Sequence, residues 1–62
     1  MQKLTFNKIV YDLTVGLDYT PEQLQQISQW LLEYQAANQL TLHQLNELCW
    51  EDSDWIFSQI FN

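Results

Sequence analysis

Arginine is absent from this 62-residue chain, and Lys3 and Lys8 are its only lysines, set against eight Asp and Glu for a formal net charge of −6. From Ile9 to Asn62 there is no strongly basic side chain at all. A surface of that sign repels nucleic-acid phosphates and anionic membranes and attracts basic protein surfaces. Neither nucleic acid nor membrane is therefore expected as a direct partner. Cysteine is present once, as Cys49, which excludes an internal disulfide staple; a single thiol without an export signal fits a reducing cytoplasm. No grouping of Cys, His and carboxylates has zinc-site spacing, and no metal or other cofactor is expected. Gly16 and Pro21 are the only glycine and proline, which leaves no glycine-rich phosphate loop and no flexible linker. The opening "MQKLTFNKIV" lacks the apolar stretch of a signal peptide, and no apolar run approaches the roughly 20 residues that span a bilayer.

What is abundant is aromatic and apolar. Trp30, Trp50 and Trp55 stand beside three Tyr and three Phe in a sequence that is 47% hydrophobic. That content argues against reading the acidity as disorder. Residues 1–62 are expected to form a single small helical domain, near the lower size limit for autonomous folding. A core of that size supplies about 3–5 kcal/mol of net stability, so dense aromatic packing or self-association must contribute. The expectation is a compact monomer with an exposed apolar patch, or a homodimer covering it, with the dimer preferred.

The phrase "YTPEQL" announces a helix. Thr20 serves as N-cap, Pro21 fits the first helical position, Gln23 returns the capping-box bond, and Tyr19 and Leu24 occupy staple positions. The helix is predicted to run to about Ala37 or Asn38, with Leu24, Ile27, Leu31 and Tyr34 on one face, widened by Trp30 and Ala37. Its opposite face is rich in neutral glutamine (Gln25, Gln26, Gln29, Gln35). "LTLHQL" repeats the capping grammar, with Thr41 as cap, Gln44 three residues on, and Leu40 and Leu45 as staple, predicting a break near residues 38–40. The next helix offers Leu42, Leu45, Leu48 and Cys49 to the core. "EDSD" then interrupts, with Asp52 or Ser53 available to cap a short terminal helix bearing Trp55, Ile56, Phe57, Ile60 and Phe61.

Residues 5–16 admit two readings. Phe6, Ile9, Val10, Leu13 and Leu17 fit a helical face, whereas Ile9, Tyr11, Leu13, Val15 and Leu17 fit strand alternation. No second strand-like run exists to receive a lone strand's backbone bonds, so a helix ending near Gly16 is preferred. Strand pairing across a dimer is the alternative. The fold class is thus all-α: a compact bundle of three to four short helices around Leu24, Ile27, Leu31, Leu45, Leu48, Ile56 and Ile60.

The C-terminal half, residues 41 to 62, resembles the helix-turn-helix core of phage-repressor-type DNA-binding domains. Leu45 and Cys49 stand at apolar positions of its first helix, Phe57 and Ile60 at those of its second, and "IFN" closes it. It departs from that pattern at Trp50, where a turn glycine is usual, and at Asn46, where a small residue is usual, and it calls for a turn one residue longer. The resemblance implies a DNA reader, and the residue chemistry opposes it. Groove binders neutralise phosphates with Lys and Arg, often in about 6–10 contacts. Here the would-be recognition segment opens with Glu51, Asp52 and Asp54.

"WEDSDW", residues 50–55, is the densest acidic-aromatic cluster, and Glu47 lies one helical turn before Glu51 on the same face. Its plainest reading is a solvated helix cap, since acids are stabilising at helix starts, with Trp50 and Trp55 closing the core. Its functional reading is a docking surface in which Glu47, Glu51, Asp52 and Asp54 pair with a partner's basic groups while Trp50 and Trp55 act as anchors. Carboxylates on a small rigid scaffold also imitate backbone phosphates, so DNA mimicry is a sharper version of the same idea. Trp30, Tyr34 and the glutamine face form a candidate dimer or partner seam. Catalysis has little support. His43 is expected to face solvent, Cys49 lies on another azimuth of the same helix, and Ser28, Ser53 and Ser58 have no evident base.

These features point to a non-enzymatic acidic regulator or inhibitor of the phage type, docking on a basic surface of a larger protein, with a nucleic-acid-binding surface as the DNA-mimic version of that partner. The competing expectations are a dimeric helix-turn-helix transcription regulator and a structural subunit of a larger assembly.

Overall fold

The computed structural model describes residues 3–61, and they form four helices with no strand among them: α1 (Phe6–Thr14), α2 (Pro21–Asn38), α3 (Leu42–Glu51) and α4 (Ser53–Phe61). The all-α class holds. No described helix is long and apolar enough to cross a membrane.

Three of the four helix starts are written in side-chain chemistry. Thr5 caps α1, its hydroxyl accepting from the Lys8 N–H at 3.2 Å. Thr20 and Thr41 build full capping boxes with Gln23 and Gln44, as their spacing predicts; each glutamine side chain accepts from the cap N–H at 2.9 Å. These bonds satisfy donors that a helix start otherwise leaves to water. The stops are equally local. The α1 helix ends before Gly16, whose φ of +82° lies in the left-handed region open to a residue without Cβ. The end of α2 takes the same conformation at Gln39 (φ 52°) without a glycine, its N–H turning back to Ala36 and Gln35 carbonyls while the Leu40 N–H bonds Gln35. Residues 5–16 thus resolve as helix and turn, and the strand alternative falls.

Helix α1 packs on α2 and α3, and α4 packs on α2 and α3. Between them lies a core of Ile9, Ile27, Leu31, Leu45, Cys49 and Ile56, with Leu13, Trp30, Leu48, Phe57 and Ile60 against it. Several apolar assignments need correction. Leu24 is half-buried and stands outside this cluster, whereas Tyr19, just before the helix, packs against it. Leu17 is 49% exposed, since α1 has already ended at Thr14 and the chain has turned. Thr14 occupies the buried place instead, its hydroxyl donating to the Val10 carbonyl at 2.8 Å. Ala37 faces solvent on the last turn of α2. No buried side-chain polar atom among the described residues lacks a hydrogen-bond partner.

The α3–α4 junction is tighter than the resemblance requires. A single residue, Asp52, separates the two helices. Its N–H closes α3 on the Leu48 carbonyl at 2.8 Å, and its own carbonyl accepts from the Ile56 N–H at 3.0 Å, opening α4. The longer turn is therefore not formed, because the N–H and the carbonyl of one residue serve the two helix ends. Asn62, read as part of the closing "IFN", lies outside the described residues.

Candidate protein-binding face

Glu47, Glu51, Asp52 and Asp54 are all exposed, and they line the end of α3, the one-residue junction and the first turn of α4. Glu47 and Glu51 are one turn apart on α3 and share a face. Asp54 sits in the first turn of α4, where the helix dipole favours its charge. Glu22 and Glu33 on α2 are exposed as well, so α2, α3 and α4 carry outward carboxylates and no cation. On α1, Lys8 is engaged within its own helix. Its ammonium pairs with Asp12 at 2.8 Å and lies 5.7 Å from the Tyr11 ring centroid.

The two tryptophans of "WEDSDW" go to different neighbours. Trp50 is 69% exposed, so it does not close the core. It stands at the edge of a 140 Å³ recess lined also by Ile9, Asp12 and Leu13 of α1 and by Asn46, Cys49 and Ser53. Its position on the outer side of α3 at the junction keeps the indole off the four-helix core. Trp55 turns toward α2. Its ring meets Trp30 and Tyr34 edge-on, each at 5.8 Å between centroids, while Trp30 and Tyr34 stack at 4.9 Å and 11°. A residue of the acidic cluster and the two residues of the seam therefore share one aromatic surface, with Trp55 still 42% exposed. Nothing in the linear order of the chain joins them. It is the packing of α4 on α2 that does.

A broader groove takes in part of the expected seam, Trp30 with Gln25, Gln26 and Gln29. It has a volume of about 610 Å³ and runs between α2 and α4. Glu22, Gln26, Gln29 and Glu33 line it from α2, Gln59 and Ile60 from α4, and Trp30 joins it to the aromatic surface. Glu22, Gln26, Gln29 and Glu33 stand at i, i+4, i+7 and i+11, a single helical stripe with an acid at each end. Gln29 donates to Glu33 at 3.0 Å along that stripe.

The groups considered for catalysis lie apart in character. His43 is exposed in the first turn of α3, and Cys49 is buried near the opposite end of the same helix, where desolvation pushes its thiol up to about 11. Burial of this kind makes a thiol inert, because the nucleophile is the thiolate. Among the described residues no cluster of three or more His, Cys, Asp or Glu has the geometry to hold a metal ion. Comparison of the chain with protein-family models, curated proteins and solved structures yields no match.

Proposed function

We propose that this protein is a non-enzymatic acidic regulator or inhibitor that docks on a basic surface of a larger protein; where that surface binds nucleic acid, its carboxylates stand where phosphates otherwise sit. The observation that carries this reading is the one-sided charge of the outer surface. Six exposed carboxylates (Glu22, Glu33, Glu47, Glu51, Asp52 and Asp54) are borne by three helices and a junction without one Lys or Arg, while Lys8 is tied to Asp12 on α1. Such a surface raises the local concentration of basic partners and steers their approach. Exposed Trp50 and the rim of Trp55 supply apolar contact area beside those charges, in the mixture enriched at binding hot spots.

The same charges weigh against the transcription-regulator reading. A helix entering the major groove gains affinity from Lys and Arg on phosphates and from Arg on guanine, and α4 begins at "SDW" with an aspartate and no cation. Whatever partner is retained from a lysate by the immobilised protein should elute with rising salt, and Glu51→Lys with Asp54→Lys should weaken its affinity and flatten the salt dependence. Unchanged affinity and slope in that variant would remove the acidic cluster from the interface. A mobility shift of random duplex DNA at low salt would favour the transcription regulator.

A further inference from the structure

We propose that the α2–α4 groove is the seat of an arginine-bearing segment of the partner. This rests on the acidic-docking reading and names where on the surface, and by what chemistry, a basic chain is held.

Three independent features converge there. The first is shape: a concavity of about 610 Å³, against 140 Å³ for the recess beside Trp50. The second is charge: Glu22 and Glu33 close the two ends of one α2 stripe, and no cation lines the groove. The two carboxylates are eleven residues apart, or about 16 Å along the helix axis, a span of roughly five residues of extended chain. The third is the surface between them. Gln26 and Gln29 present amide oxygens that accept from guanidinium N–H groups. Trp30 contributes its indole, fixed by its stack on Tyr34 and its edge contact with Trp55.

Arginine is the cation that uses all three. Its planar fork donates five N–H bonds to carboxylate and amide oxygens, and it is weakly hydrated enough to lie against an aromatic ring. Lysine offers a compact, strongly hydrated point charge and uses only the carboxylates well. The groove should therefore prefer arginine to lysine at equal charge.

The test uses the full chain, labelled with ¹⁵N, and an eight-residue peptide carrying two arginines five positions apart, with lysine and citrulline versions as comparisons. Side-chain amide signals of Gln26 and Gln29 and the indole N–H of Trp30 should move on titration with the arginine peptide, less with lysine, and not with citrulline. Glu22→Gln with Glu33→Gln, both at exposed positions, should weaken arginine-peptide binding about fivefold, with an unchanged circular dichroism spectrum. Glu51→Gln with Asp54→Gln should weaken it less than the groove variant does. Shifts confined to α3 and the junction, lost in Glu51→Gln with Asp54→Gln, would overturn the groove and leave the acidic-docking reading standing. Equal binding of the citrulline peptide would overturn the groove's charge selectivity. Failure of the arginine peptide to shift any signal up to millimolar concentration would overturn both.

Discussion

Trp30 stacks on Tyr34 with ring centroids 4.9 Å apart, one helical turn along α2, and Trp55 of α4 crosses both rings nearly at right angles. This is the geometry in which the positive edge of one aromatic ring meets the negative face of another. The pair and its lid tie one of the two nine-residue helices to the longest, of eighteen. A double-mutant cycle with Trp30→Leu and Trp55→Leu should give a coupling of about 0.5–1.5 kcal/mol in urea unfolding. Coupling indistinguishable from zero would make the rings neighbours without mutual stabilisation.

The two left-handed residues predict substitutions of opposite sign. Gln39 holds φ 52° at the end of α2, where a side chain crowds the following carbonyl, so Gln39→Gly should stabilise by up to about 1 kcal/mol. Gly16 holds φ +82° after α1, and a Cβ there would meet no atom within 4 Å. The cost of Gly16→Ala is then conformational alone, about 1–2 kcal/mol. Thermal or urea midpoints of the two variants should move in opposite directions.

Ile9 and Ile56 are essentially inaccessible, one on α1 and the other on α4. Truncating either to Ala should cost about 2–5 kcal/mol, comparable with the whole net stability expected of so small a domain. Both variants should be substantially unfolded by circular dichroism at 25 °C, whereas Ile27→Val, costing about 0.5–1.5 kcal/mol, should remain folded. A fully folded Ile9→Ala would mean that α1 is dispensable to the core.

How far the sequence carried is visible in these same residues. Caps announce themselves because their bonds span three residues: Thr20 with Gln23 and Thr41 with Gln44 placed two helix starts correctly. Core membership near helix ends is set by neighbours remote in the chain, so Leu24 and Leu17 were overvalued and Ile9 was absent from the expected core. Period alone placed Leu17 on the α1 face, but the turn at Gly16 ended that period. The acidic cluster was legible as a contiguous run. The seam of Trp30, Tyr34 and the glutamine face was legible too, but not its junction with Trp55, Gln59 and Ile60, which lie 20 or more positions away and which only the packing of α4 on α2 brings there.

Cys49 is 6% exposed, and its thiol titrates near 11 in place of 9.0 because burial disfavours the thiolate. Below pH 9.0 the thiol is protonated in folded and unfolded chains alike, and its contribution to stability is undiminished. As pH rises from 9.0 through about 11 the unfolded chain loses this proton first, so stability falls across that window. Cys49→Ala should flatten the decline. A disulfide-exchange reagent at pH 8 should label the native protein at the rate of global opening and the urea-unfolded protein at once. Rapid labelling of the native form would place the thiol at the surface.

The acidic cluster's two roles separate by comparing stability with affinity. Asp54 in the first turn of α4 interacts favourably with the helix dipole, and Asp54→Asn should cost about 0.3–1 kcal/mol of stability whether or not a partner docks there. Trp50 is 69% exposed and contributes little to the core, so Trp50→Gln should change stability by no more than about 0.5 kcal/mol. An anchor at an interface behaves otherwise: truncating an aromatic hot spot costs about 2 kcal/mol or more of binding. Near-neutral Trp50→Gln stability combined with a thirtyfold or greater loss of partner affinity, as that energy implies, would assign Trp50 to recognition. Equal and small effects on both quantities would leave "WEDSDW" as a solvated start to α4, its tryptophan free of any docking role.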